Sequence, residues 1–330
     1  MSTNINRIVT GLALVFCALF MCVACSSTTP SAPTVVVTLP PEQVQPVETS
    51  QIELLPSPTI EVNQPTAENT EQADPAEAII NNGIALFDTR DIDGALSAFE
   101  EAIAANPNSA NAYYQRARVW LEKKDLARAV VDLNQAILIN ANSAEAFNLR
   151  GIAYLESGQY DQALADLNAA IGLKPDFGNA FNNRALVYFH KEELDKGLED
   201  ATQAITLSPN SAEFYVTRGL IYSKKDSDDL ALADFNKAIE IKPDYEKAYF
   251  NRGVVYASTG KITEAITDLN QAITLTPDQA VYYLYRGMMY LQNKENQNAI
   301  NDFRKVLELS QDENLRKQAT DWLTSMGATP

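Results

Sequence analysis

The sequence predicts an all-α protein: a solenoid of seven 34-residue helix-turn-helix units with a C-terminal capping helix, preceded by a disordered tether. Three observations carry this. From residue 76 to 313 the chain repeats itself every 34 residues without an insertion. Each unit carries apolar residues spaced as on one face of a helix, twice over. The stretch before the repeat is too rich in Ser, Thr and Pro to form a packed core. Composition narrows the chemistry. Of 330 residues 43 are Asp or Glu and 26 are Lys or Arg, a net charge of −17. Such an excess of acid argues against a nucleic-acid partner, because phosphates require clustered cations. One His and three Cys leave almost no material for a His/Cys metal site or a Cys–His catalytic pair, so no enzyme, metal or cofactor is expected.

Residues 1–24 read as a signal peptide: a polar head with Arg7, an apolar run over 8–24, then small residues. The run is at the short limit for a membrane-spanning helix. The residues around Cys25 resemble the lipobox of bacterial lipoproteins, with Ala24 before the cysteine and Cys22 standing where Leu is usual. That resemblance implies cleavage after residue 24 and a lipid on the Cys25 sulfur. An uncleaved anchor helix and plain signal-peptide cleavage are the alternatives. With the lipid in place the mature chain keeps one cysteine, as a thioether, and no disulfide is possible. The expected location is the bacterial cell envelope, lipid-anchored to a membrane and facing outside the cytoplasm.

Residues 25–75 form the tether. Nine of the 15 prolines lie here, with seven isolated acids and no Gly, Lys or Arg. Proline at this spacing denies the segment helices. As polyproline II, fifty residues reach about 150 Å; as a flexible coil they average about 40 Å.

The repeats occupy 76–109, 110–143, 144–177, 178–211, 212–245, 246–279 and 280–313. In the third unit Phe147, Gly151 and Tyr154 share one helical face, and Ala163, Leu167 and Ala170 share the face of a second helix. Gly158 and Gln159 supply the turn between them. Small residues at Gly151 and Ala163 let the two backbones approach, and larger neighbours fill the gaps. Pro107, Pro175, Pro209, Pro243 and Pro277 close five units, and Ser109, Ser143 and Ser211 are placed to cap the helix that follows. The sixth unit repeats the pattern as Tyr249, Gly253, Tyr256, Ala265, Leu269, Ala272 and Pro277. This period and these residues resemble the tetratricopeptide repeat, and the resemblance implies a right-handed α-solenoid. Residues 314–330 carry Leu315, Ala319, Trp322, Leu323 and Met326 on one stripe, as expected of a helix covering the last unit.

The seventh position of a unit is usually Leu in that family. Here it is Arg116, Arg150, Arg184, Arg218, Arg252 and Arg286. The twenty-third position is Asp132, Asp166, Asp200, Asp234, Asp268 and Asp302 in the same six units, while unit one has Asn82 and Ala98. The two positions lie at similar height on antiparallel helices, within reach of a charge-assisted bond. Pairing within a unit satisfies all six; pairing to the next unit strands Asp302 and leaves Arg116 facing Ala98. The within-unit pair is favoured over both that arrangement and two solvated faces.

No Gly-rich phosphate loop, dinucleotide fingerprint or Ser elbow is present. His190 reads as a surface residue. Asp228 and Asp229 read as a solvated turn, with Leu230 replacing the apolar residue missing at Asp228. The surface left for function is the inner face lined by the first helices, which the resemblance implies is a peptide-binding groove. The fifth and sixth residues of each unit then face inward. Asn81, Gln115, Asn183 and Asn251 form one row of amides, with Asn148 and Asn182 beside it and Tyr114, Phe250 and Tyr285 as apolar anchors. An amide both donates and accepts, which suits a peptide backbone. Phe189 is a further aromatic candidate. The expected partner is a protein or peptide segment, bound by a membrane-tethered scaffold. The alternative is a glycan- or peptidoglycan-binding lipoprotein whose aromatics stack on sugars.

Overall fold

The computed structural model describes residues 76–330, and all of the regular structure there is helical. The signal peptide, Cys25 and the tether lie outside the described residues.

Fifteen helices follow one another: α1 Glu77–Asp88, α2 Ile92–Ala105, α3 Ala110–Glu122, α4 Leu126–Ile139, α5 Ala144–Glu156, α6 Tyr160–Leu173, α7 Gly178–His190, α8 Leu194–Leu207, α9 Ala212–Lys224, α10 Asp228–Ile241, α11 Glu246–Ser258, α12 Ile262–Leu275, α13 Ala280–Gln292, α14 Asn296–Leu309 and α15 Glu313–Ser325. Each odd helix from α1 to α13 packs antiparallel on the even helix after it, and each pair packs on the next pair. The first helices of successive units also touch one another. This is the α-solenoid that the sequence predicts. No unit buries its apolar face alone, so the core runs along the stack.

Within a unit, the two helices meet where the eighth residue faces the twenty-fourth. Three glycines there face phenylalanines: Gly83 with Phe99, Gly219 with Phe235 and Gly287 with Phe303. A Cβ on Gly219 would lie 2.7 Å from the Phe235 ring, and one on Gly287 2.8 Å from Phe303. Where the eighth residue is Ala117 or Ala185, the facing residue is Leu133 or Ala201, all fully buried. The Gly–Phe and Ala–Leu pairs thus trade volume between the two helices, as close packing requires, whereas Ala185 and Ala201 are both small.

The turn between the paired helices enters the left-handed region at the same place in every unit. Gly158 and Gly260 occupy it with φ of 73° and 78°. The other five units place Arg90, Lys124, Glu192, Asp226 and Lys294 there, with φ between 54° and 67°. Helix starts differ from the sequence expectation in one respect. Ser109 and Ser143 accept from the backbone N–H of Ala112 and Ala146, but Ser211 makes no such bond. Leu230 is also corrected: it is 52% exposed and fills no gap left by Asp228.

Helix α15 closes the stack. Leu315, Ala319 and Leu323 are buried against unit seven, and Trp322 stacks on Phe303 with ring centroids 6.0 Å apart. Asp312 caps it by accepting from Asn314 and Leu315, and Arg316 donates to the Ser310 carbonyl at 3.0 Å.

Candidate functional site

The Arg and Asp residues of units two to seven form a regular lattice. Each Asp accepts two bonds from the Arg sixteen residues before it, in the same unit. Arg116 donates to Asp132 at 2.7 and 2.8 Å, Arg150 to Asp166 at 2.7 and 2.7 Å, and Arg184 to Asp200 at 2.6 and 2.8 Å. Arg218–Asp234, Arg252–Asp268 and Arg286–Asp302 repeat the geometry at 2.7–2.8 Å. All six Asp are buried. Burial pushes the Asp302 carboxyl above its ordinary value, with Arg286 opposing.

Three further contacts of this lattice were not foreseen from the sequence. In units three, five, six and seven the guanidinium lies between aromatic rings of the fourth and eleventh positions, as Arg150 does at 5.5 Å from Phe147 and 5.9 Å from Tyr154. Its third nitrogen reaches back to the preceding unit: Arg150 Nη1 donates to Asn134 at 2.6 Å, Arg184 to Asn168, Arg252 to Asn236 and Arg286 to Asn270. Trp120 Nε1 donates to Asp132 at 3.1 Å, under the guanidinium of Arg128. The signal for the second contact was the recurrence of Asn at the twenty-fifth position.

The inner rows divide into two chemically different halves. In units one to four they are rich in amides. Asn81 is exposed. Gln115 and Asn148 are nearly buried, and Asn182 is 1% exposed. Asn183 Nδ2 donates to Asn148 Oδ1 of the preceding unit at 2.9 Å. Gln115 donates to Asn111 at 3.1 Å and accepts from Arg118 at 2.6 Å. Asn183 and Asn148 are therefore bonded across units, while Gln115 is held by side chains of its own helix. In units five to seven the rows are mostly apolar, with Thr217 and Asn251 as the polar members. Phe250 lies 4.8 Å from Tyr282 and 5.2 Å from Tyr285, and all three are at least nine-tenths buried. Asn251 donates to the Lys247 carbonyl at 2.7 Å.

A hollow of about 280 Å³ opens between units two and three, lined by Asn111, Tyr114, Asn140, Ser143 and Glu145 among others. Burial raises the Tyr114 hydroxyl above its usual value, so it stays protonated. The Lys174 ammonium holds the Glu145 carboxyl below its usual value. The hollow thus presents amides, a neutral phenol and a paired carboxylate. His190 is not the surface residue expected: it is half-buried, stacked on Tyr160 at 5.5 Å, and burial lowers its pKa. Phe189 is 4% exposed. Among the described residues no group of three His, Cys, Asp or Glu is placed to hold a metal ion, and no helix is long and apolar enough to cross a membrane.

Comparison with known proteins agrees with the architecture. Models described as tetratricopeptide repeat match residues 80–145, 148–212 and 280–313, and one described as TPR repeat matches 227–260 and 255–294. Among solved structures, a tetratricopeptide repeat protein from Parabacteroides merdae is 20% identical with a TM-score of 0.61, over 74% of this chain and 97% of that one. The human IFIT1 dimer with m7Gppp-AAAA is 19% identical at a TM-score of 0.66, over 76% and 63%. The APC/C hetero-tetramer Cut9-Hcn1 is 15% identical at 0.63, over 75% and 46%. At these identities the likeness is one of fold. No curated protein matches the sequence.

Proposed function

The chain belongs to the tetratricopeptide repeat family, a protein-interaction fold, and from that membership we propose that it is a membrane-tethered scaffold binding a peptide segment along the first helices. The observation that carries the proposal is the hollow between units two and three. Its amides at Asn111 and Asn140 and the Tyr114 hydroxyl offer both donors and acceptors to a peptide backbone. The exposed Asn81 lies in the unit before it and extends the row. The RNA present with human IFIT1 does not carry over: this chain's acids outnumber its Lys and Arg, and repel phosphate. The glycan alternative is weaker, because Phe250 and Tyr285 pack on each other and leave little ring face for a sugar.

The tethering rests on the sequence around Cys25. A lipid there, with the chain of residues 26–75 behind it, lets the solenoid search a volume beside the membrane while remaining anchored. Cys25→Ala then moves the protein from the membrane to the soluble fraction, and mass spectrometry of the mature N-terminus shows no added acyl mass.

Binding is tested by capture from solubilised membranes with the wild-type protein and with Tyr114→Ala combined with Asn111→Ala. A protein enriched by the wild type and lost with the double variant supports the reading. Retention of glycan without any protein sinks it. Asn183→Ala with Asn251→Ala examines the amide row: a linear-peptide ligand is expected to bind about 1 kcal/mol more weakly. Unchanged affinity removes the row from the site.

A further inference from the structure

We propose that the junction between units four and five is the hinge of the solenoid, where the amide-lined half and the aromatic half of the inner face change their mutual angle. Four other junctions carry an arginine–asparagine bond between units, the three–four junction adds an amide pair on the inner row, and this junction has neither.

The first missing stitch is that of the arginines. At the junctions of units two–three, three–four, five–six and six–seven, Arg Nη1 donates to the Asn of the preceding unit at 2.6–2.7 Å. Between units four and five Thr202 stands where Asn stands elsewhere, and the hydrogen bonds of Arg218 go to Asp234 alone. The junction of units one and two lacks the bond as well, but there Glu100 faces Arg116 and attracts its charge.

The second missing stitch is on the inner row. Asn183 donates to Asn148 across 35 residues. The same offset from Asn182 leads to Thr217, whose side chain is shorter than an amide and makes no such bond. Asn182 is 1% exposed, and its Oδ1 has no hydrogen-bond partner. A buried acceptor without a donor destabilises the arrangement that buries it. Rotation at this junction that admits a water or another N–H relieves that cost.

What remains across the junction is apolar contact and two rim ion pairs. Phe214 packs on Ala204 and Ile205, and Val216, Leu220 and Ile221 share a buried cluster with Ala185, Phe189 and Ala201; these non-directional contacts tolerate small rotations better than oriented hydrogen bonds do. Lys224 pairs with Glu192 at 3.3 Å, and Lys225 pairs with Asp195. Both acids are largely exposed, at 75% and 88%, so these pairs are screened and restrain little. A hinge of this kind needs only a few residues to absorb the motion. It acts on the solenoid itself and does not depend on what the inner face binds.

The test uses spin-label pairs in the full chain with Cys17, Cys22 and Cys25 replaced by Ser. Leu138→Cys with Thr206→Cys spans units two to four, Gly172→Cys with Glu240→Cys spans three to five, and Glu240→Cys with Glu308→Cys spans five to seven. All five sites are exposed and equivalent in the repeat. The pair crossing the four–five junction is expected to give a distance distribution about twofold broader than the other two. Thr202→Asn, at an exposed site, presents an amide to Arg218 as Asn168 does to Arg184, and should narrow it. Equal widths for all three pairs overturn the hinge. A broad crossing pair that Thr202→Asn leaves unchanged overturns the missing stitch as its cause.

Discussion

Arg150 holds Asp166 through two parallel bonds of 2.7 Å, and neither partner is left to solvent: their side chains are 18% and 7% exposed. The pair stands where the family usually places an apolar residue, so a hydrophobic contact has been replaced by a part-buried ion pair. Such a pair is costly to break and cheap to replace, because its attraction largely offsets the desolvation of its two charges. Arg150→Ala is expected to lower unfolding stability by about 3 kcal/mol, since it leaves Asp166 buried without a counter-charge and also removes the bond to Asn134. Arg150→Leu with Asp166→Ala is expected to recover much of that loss. Urea unfolding of the two variants checks it; equal destabilisation refutes the argument.

The glycines facing phenylalanine lead to a second expectation. Gly219→Ala places a Cβ 2.7 Å from the Phe235 ring, which is fully buried. A loss of about 1–3 kcal/mol is expected from overpacking. The chain already contains the compensating pair, since Ala117 faces Leu133 in unit two. Gly219→Ala combined with Phe235→Leu should therefore cost less than the sum of the single changes, a coupling that a double-mutant cycle reads directly.

Lys294 adopts φ of 64° where the equivalent residues in units three and six are glycines. The left-handed conformation costs a side chain about 1–2 kcal/mol, and glycine adds about 0.4–1 kcal/mol of unfolded-state entropy. Lys294→Gly is thus expected to raise stability by about 0.5–1 kcal/mol, and Gly260→Ala to lower it by about 1 kcal/mol. Differential scanning calorimetry should show melting temperatures moving in opposite directions. A shared direction would leave the turn argument without support.

The fold was legible because the repeat reports the same packing problem seven times. A single Gly151 or Leu167 is weak evidence, but six registered copies of a small residue facing a larger one, with two alanines in unit four, define a helix pair. The Arg and Asp positions were legible for the same reason, since Arg116 to Asp132 recurs with constant spacing and unit one lacks both. The state of the inner rows was less legible. Periodicity places Phe250 and Tyr285 on the inner side, yet how much ring they expose depends on how closely successive first helices approach, and Tyr282 closes over them. His190 shows the same limit: its ring is buried by Tyr160 of the preceding unit, a contact that no spacing within its own helix reveals.

That contact gives His190 a pH signature. Burial lowers its pKa in the folded protein, so the unfolded chain takes up a proton at a higher pH than the folded one does. The stability contributed by the neutral ring is full above the unfolded value of about 6.5 and declines as the pH falls below it. Glu156 and Asp302 move the other way. Burial raises both carboxyls, so their contribution is present at low pH and is lost as the pH rises through their folded values. The sum of these effects hides any one of them, and the informative quantity is the difference between the wild type and His190→Phe. That variant keeps an aromatic ring against Tyr160 without a titrating nitrogen. Relative to it, the wild type should lose stability between pH 7.5 and 5, measured by urea midpoints at fixed ionic strength. A difference that stays constant over that range means the ring accepts its proton without leaving the stack.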